Sequence, residues 1–260
     1  MVFPIADDNT DRRLTPIATY VIIAINVAVF ALFQQFGANL EFTFALAAVP
    51  QEIATGQDAV TPDRILVDPR TGMQFKVPGL QPTPLPVYFT LLTSMFMHGG
   101  LLHLLGNMWF LFIFGDNIED DLGHARYVAF YLLTGLVAAL AHVAVSLGGD
   151  GALTPMVGAS GAISGVLGAY LVLHPHRRVH VLLFRILMEV PGWVAVGIWF
   201  LFQLINGLGM LGGSVEGGVA YAAHIGGFLA GVVLAWPFSL GRRLRDQPVY
   251  RRGPPPAWWQ

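Results

Sequence analysis

A serine framed by glycines, Gly158-Ala159-Ser160-Gly161, heads an uncharged stretch long enough to cross a bilayer. A second such stretch holds His224, and a third holds His98, His103 and Asn107. Polar side chains inside membrane spans are costly and are usually functional. Here they supply a nucleophile, a base and hydrogen-bond donors, the set needed for hydrolysis within a membrane.

A serine hydroxyl is a weak nucleophile without a base beside it. His224 is the expected base, because no other histidine shares its stretch. Gly227 and Gly231 follow it at spacings of three and then four, so both share its helix face. The Ser160 stretch has its own small residues, Gly161, Ser164, Gly165 and Gly168. Small residues on one face let helices approach closely in a membrane. Such packing would bring Ser160 and His224 within hydrogen-bonding reach. Acyl transfer also needs donors aimed at a developing oxyanion. His103 and Asn107 are four apart, hence on one helix face and about 6 Å apart along its axis. The backbone N–H of Ser160, at a helix start, adds a third donor. His98, five residues before His103, is expected to point elsewhere, at the water–membrane boundary, where it organises the loop or a water path. No acid lies between Gly151 and Met188 or between Gly217 and Arg245, so a Ser–His dyad oriented by packing is expected.

The elements that must position these groups are membrane helices. The chain has 260 residues, 55% of them hydrophobic and only 12% charged. A soluble domain carries roughly 25% charge, so this balance indicates a polytopic membrane protein. The net charge of −2 says little, because the charges are segregated, and no nucleic-acid partner is expected. The chain has no cysteine, which excludes disulfides and thiolate metal sites. Met1 to Leu14 lacks the basic and small-residue pattern of a cleaved signal peptide. Spans are expected near 17–36, 97–115, 127–147, 157–174, 191–211 and 219–240, each close to the roughly 20 residues a crossing requires. A long proline-rich loop, 37–96, separates the first two. Its last part, Tyr88 to Met97, is apolar and expected at the interface. Six spans put both termini on one side. That side also holds the loops carrying Arg126, Arg177, Arg178 and Arg185, so the positive-inside rule makes both termini cytoplasmic.

Taken together, His98-Gly-Gly-Leu-Leu-His103-Leu-Leu-Gly-Asn107, Gly158-Ala159-Ser160-Gly161 and Ala223-His224-Ile-Gly-Gly227-Phe-Leu-Ala-Gly231 resemble the rhomboid family of intramembrane serine proteases. The resemblance implies an all-α membrane protein, a six-transmembrane-helix bundle with the long loop between its first two spans. It implies Ser160 as nucleophile, His224 as base, and His103, Asn107 and the Ser160 N–H around the oxyanion. His98, Gly158, Gly161, Gly227 and Gly231 support them. Substrates would be single-span membrane proteins cut in or beside their transmembrane segment, and no cofactor or metal is implied. The segments would be a cytoplasmic 1–14, a protease core 15–240 and a basic, Pro/Trp-containing cytoplasmic tail 241–260. The expected location is a bacterial cell (inner) membrane.

Two features depart from the family pattern. Many bacterial members have a Trp-Arg pair where Phe89-Thr90 stands here, and some have an aromatic residue, stacked on the base, at the position of Ser164. A larger loop is also expected around 51–76.

Other polar groups have plainer readings. His174, His176 and His180 lie in a basic loop with no carboxylate beside them, so metal binding is not expected. Asp116, Glu119, Asp120 and Asp121 read as a solvated helix end. His142 reads as a packing residue. The fifth span carries Trp193, Trp199, Phe200 and Phe202, and glycines at 207, 209, 212 and 213; it suits either a gate or a lipid-facing helix. Two other functions compete with proteolysis. A catalytically inactive rhomboid-like protein that binds membrane clients would be expected to lack the serine or the histidine. A transporter commonly shows repeats or broken helices with midplane charges; the sequence has no repeat and no midplane acid or base except histidine.

Overall fold

A computed structural model describes residues 2–242 apart from 69, 149, 184 and 212–220. The basic tail from Arg243, its Trp258-Trp259 pair, Gly212, Gly213 and the first residues of the last expected span lie outside the described residues.

The chain opens with strand β1 (Val2–Asp7) and enters α1 (Ile17–Ala28), which continues as a π-helical turn over Val29–Phe33. The long loop then holds α2 (Leu40–Leu46), α3 (Pro50–Thr55), a hairpin of β2 (Arg64–Val67) and β3 (Gln74–Val77), and α4 (Thr90–Thr93) flanked by 3-10 turns. Next come α5 (Leu101–Leu122), α6 (His124–Ser146) and α7 (Ser160–Leu173). A second hairpin, β4 (Arg178–Leu183) and β5 (Ile186–Pro191), leads to α8 (Gly192–Leu211) and α9 (Tyr221–Ser239).

A helix occupies each of the six expected stretches. By length and composition α5, α6 and α9 are long and apolar enough to cross a membrane, whereas Ile17–Phe33, Ser160–Leu173 and Gly192–Gly207 are shorter apolar runs. α7 sits at the centre, with α5, α6, α8 and α9 around it. Every residue from Gly161 to Tyr170 is buried.

The described residues are mostly helical, but the expectation of an all-α chain is corrected by five strands among them. β1, β4 and β5 form an antiparallel sheet in the order β1-β4-β5, with Val2 opposite Leu183 and Asp7 opposite Val179. β4 reads as a basic loop in the sequence, but Arg178-Val-His-Val-Leu-Leu alternates in burial: Val179 and Val181 point inward. Pro4 is tolerated because β1 is an edge strand. The region 51–76 expected to enlarge the loop becomes the end of α3 and the exposed β2–β3 hairpin.

The second correction concerns the acidic cluster. α5 runs on to Leu122, and Asp116, Glu119, Asp120 and Asp121 are 0–4% exposed rather than solvated. The reason is that the start of α1 presents N–H groups with no partner inside the helix. Glu119 accepts from the N–H groups of Ala18 and Thr19 at 2.8 and 2.7 Å and from the Thr19 hydroxyl at 2.7 Å. Asp120 accepts from the Arg13 N–H, and Asp116 pairs with Arg12 at 2.9 Å. Around them Tyr170 donates to Asp7, Arg177 forks onto Asp11 at 2.8 and 3.0 Å, and His174 lies 2.6 Å from Asp121. Arg177 is 1% exposed, and its bonds to Asp11 outweigh the cost of burial and raise its pKa. The network ties the first fifteen or so residues to the ends of α5 and α7.

Glu119→Gln tests this. An amide offers one acceptor where the carboxylate offers two, and turns an NH2 toward a donor. Leaving one buried donor unpaired costs about 1–3 kcal/mol, and more where a charge was involved. The expected result is a clear fall in unfolding temperature in detergent micelles. An unchanged melting curve would show that α1 holds without this cap.

Candidate active site

Ser160 is the first residue of α7, and His224 is in the first turn of α9. Their side chains meet: Ser160 Oγ lies 2.8 Å from His224 Nε2. The helices can come this close because glycines face each other. A Cβ at Gly227 would overlap the Gly161 carbonyl oxygen, one at Gly231 the Gly165 carbonyl oxygen, and one at Gly168 the Phe228 carbonyl oxygen. A Cβ at Gly161 itself would stand 2.6 Å from the Ala138 Cβ on α6. Ser160 and His224 are both only partly buried.

The segment entering Ser160 is held from outside the helix. Met156 and Ala48 exchange two backbone hydrogen bonds, of 2.8 and 3.1 Å, and the Gly158 N–H donates to the Ser94 carbonyl. Gly158 has φ +136°, which side-chain-bearing residues rarely adopt, and a Cβ there would lie 2.9 Å from the His103 ring. Gly158 thus lets the His103 ring approach the backbone leading into Ser160.

His103 and Asn107 lie on one face of α5, as their spacing predicts. The Gly99 N–H donates to His103 Nδ1 at 3.3 Å, so the ring proton sits on Nε2, the atom turned toward Gly158. Asn107 is 8% exposed, and its Nδ2 has no hydrogen-bond partner among the described residues. A buried unpaired donor is unusual and calls for an explanation; a transient acceptor supplied by substrate is one.

His98 differs from expectation. It is 1% exposed, and its ring packs edge-on against His103 with centroids 5.1 Å apart. The helical spacing argument fails because α5 begins only at Leu101, after His98. Its backbone is clamped by Gln34, which accepts from the His98 N–H and donates to its carbonyl, each at 2.9 Å. Gln34, at the end of the first helical stretch, was not read as a supporting residue; its signal was an amide closing a long apolar run.

Ser164, at the position where an aromatic residue was considered, donates to the Ser160 carbonyl at 2.6 Å. Rings reach His224 from elsewhere: Trp199 of α8 and Tyr221 of α9, with centroids 6.2 and 6.3 Å away. The fifth-span aromatics divide. Trp193 and Phe202 are 53% and 52% exposed, whereas Phe200 stacks on Phe228 at 3.9 Å. Thr90 of the Phe89-Thr90 pair is buried and donates to the Val87 carbonyl. His142 pairs with Ser146 within α6. His174 faces Asp121 while His180 lies 3.7 Å from Glu189, so these two histidines have separate partners.

One member of the site escaped sequence reasoning altogether. Gln203 of α8 is 6% exposed, and its Oε1 lies 2.9 Å from His224 Nδ1. The available signal was an amide inside the apolar run Trp193 to Leu211, four residues after Trp199.

The Rhomboid domain family description matches residues 86–241. The chain is 31% identical over 152 residues to Rhomboid protein 1, mitochondrial, of Saccharomyces cerevisiae, covering 58% of this chain and 42% of that protein. It is 31% identical over 167 residues to RHOMBOID-like protein 5 of Arabidopsis thaliana, covering 62% and 45%. It is 30% identical over 181 residues to the human Presenilin-associated rhomboid-like protein, mitochondrial, covering 65% and 45%. The chain therefore spans less than half the length of these relatives.

Proposed function

The chain belongs to the rhomboid family, and from that premise we propose that it is an intramembrane serine endopeptidase acting on single-span membrane proteins. The observation that carries the proposal is the 2.8 Å contact between Ser160 Oγ and His224 Nε2 at the head of a central, buried helix. In this reading Ser160 Oγ attacks the scissile carbonyl carbon and its proton passes to His224 Nε2. The carbonyl oxygen, now an anion, is met by the Ser160 N–H, His103 Nε2–H and Asn107 Nδ2–H. The C–N bond breaks, the imidazolium protonates the leaving amine, and water hydrolyses the acyl-enzyme by the same route. No cofactor or metal enters these steps. An inactive client-binding protein would have no need of a hydroxyl aligned on an imidazole, and the contact favours the protease.

The bundle is proposed to be a six-span core over 15–240. α7 has 14 residues, about 21 Å of helix against a bilayer core of roughly 30 Å. Its first residue therefore lies below the membrane surface when its last reaches the other side. The end of the bundle bearing Arg126, Arg177 and Arg178 would be cytoplasmic, with both termini. A bacterial cell membrane stays part of the proposal; the names of the yeast and human relatives place those proteins in mitochondria. Protease protection of terminal tags in sealed vesicles tests the orientation.

The activity is tested by labelling with a fluorophosphonate and by co-expression with a panel of single-span substrates. Labelling at Ser160 together with cleavage is expected; neither occurring would sink the protease reading. Asn107→Ala should lower kcat and leave KM nearly unchanged. One oxyanion donor contributes roughly 10²–10³-fold in preorganised sites, and the loss here should be at the lower end because two donors remain. A defect confined to KM would make Asn107 a binding residue instead.

A further inference from the structure

A histidine that serves as a base must present a bare nitrogen to the nucleophile. Neutral imidazole has two tautomers, and the partner on the far nitrogen chooses between them. No acid is available to His224 from the sequence of α7 or α9. We propose that Gln203 is the positioning residue for the base, taking the place an acid holds in a Ser–His–Asp triad. This rests on the protease reading above.

The geometry argues for it in three ways. Gln203 Oε1 and Ser160 Oγ lie at opposite nitrogens of one ring, 2.9 and 2.8 Å away. An amide oxygen only accepts, so Nδ1 must carry the proton, and Nε2 is left as the acceptor for the serine hydroxyl. The two amides of α8 are also used differently. Asn206 is half-buried and donates back to the Phe202 carbonyl of its own helix, while Gln203 is buried and turned onto His224. Finally, Gln203 lies on the α8 face that meets α9, with Trp199 one turn before it and Gly207 one turn after, against Ile225 and Tyr221. The relay therefore draws on three helices: nucleophile from α7, base from α9, positioning amide from α8. The base is correctly oriented only while α8 is seated against α9.

An amide orients the imidazolium but carries no charge to stabilise it. Replacing a buried triad Asp so that the tautomer is wrong costs about 10⁴-fold in kcat; a neutral partner should contribute less. Gln203→Leu, similar in volume, should lower kcat by roughly 10- to 100-fold with KM nearly unchanged. The rate of fluorophosphonate labelling at Ser160 should fall in parallel, since that reaction needs the base but no transmembrane substrate. Gln203→Glu should restore most of the rate. It should also move the acid limb of the kcat profile to higher pH, because a carboxylate favours the protonated ring and the base works only unprotonated. Among the described residues, the other titratable groups facing His224 are His103 of α5, His142 of α6 and Tyr221 of its own helix. They are unchanged in both variants, so a displaced limb reports position 203.

Melting curves of each variant separate loss of fold from loss of orientation. A folded Gln203→Leu with wild-type kcat and labelling rate overturns the proposal. So does a Gln203→Glu that is as slow as Gln203→Leu with its acid limb unmoved, which would make the amide a packing element only. A wild-type chain that takes no fluorophosphonate and cuts no substrate fails earlier, at the protease reading itself.

Discussion

Ser160→Ala is expected to abolish cleavage and fluorophosphonate labelling while leaving the melting curve almost unchanged. The side chain removed is one hydroxyl at a helix start, partly exposed, with its oxygen on His224. Nothing in the packing of α7 depends on it: the glycines that meet α9 and the Ser164 bond to the Ser160 carbonyl remain. The rate loss should be several orders of magnitude, as for removal of a nucleophile elsewhere. His224→Ala should be nearly as inactive, since without Nε2 the hydroxyl proton has no acceptor. The informative measurement is the double variant. Groups that act as one unit are strongly non-additive, so removing both should cost little more than removing either. If the two losses multiplied, Ser160 and His224 would be acting independently, and the hydrogen bond between them would have no catalytic meaning.

The contact between Ser160 and His224 was legible because its signals are local. Ser160 and His224 stand out as polar residues in apolar runs, and glycines at helical spacing mark the faces that must meet. His103 and Asn107 were legible for the same reason, four apart on one helix. What could not be read were relations between elements with no shared periodicity. Charge in Asp116 to Asp121 looked solvated because nothing in those residues says that the N-terminus of α1 will need acceptors there. β1 and β4 are far apart in sequence, and β4 alternates for only six residues beside a run of arginines and histidines. Gln203 was hidden differently. Its partner lies 21 residues away across the end of α8, and an amide in a span is as often bonded to its own helix, as Asn206 is. His98 was misplaced because the face argument assumed a helix that had not yet begun.

The second large effect is expected from a residue that touches no reacting atom. Gly231→Ala adds one methyl group two turns beyond His224. That methyl would be driven into the Gly165 carbonyl oxygen of α7, which is backbone inside a central helix and cannot swing aside. The only relief is separation of α7 from α9 by an ångström or so. The Ser160–His224 distance, 2.8 Å in the native packing, would then pass the limit for a hydrogen bond. A misplacement of about 1 Å remote from the chemistry can cost 10²-fold in rate, and overpacking of this kind destabilises by about 1–3 kcal/mol. Both consequences are expected here: kcat falls by about 10²-fold or more, and the unfolding temperature drops. Gly197→Ala is the matched control, because a Cβ at that position of α8 meets nothing within 4 Å. It should behave as wild type in both measurements. Should Gly231→Ala cleave at the wild-type rate, the close approach of α7 and α9 would not be what brings Ser160 onto His224, and the reading of Gly227 and Gly231 as parts of the site would fall with it.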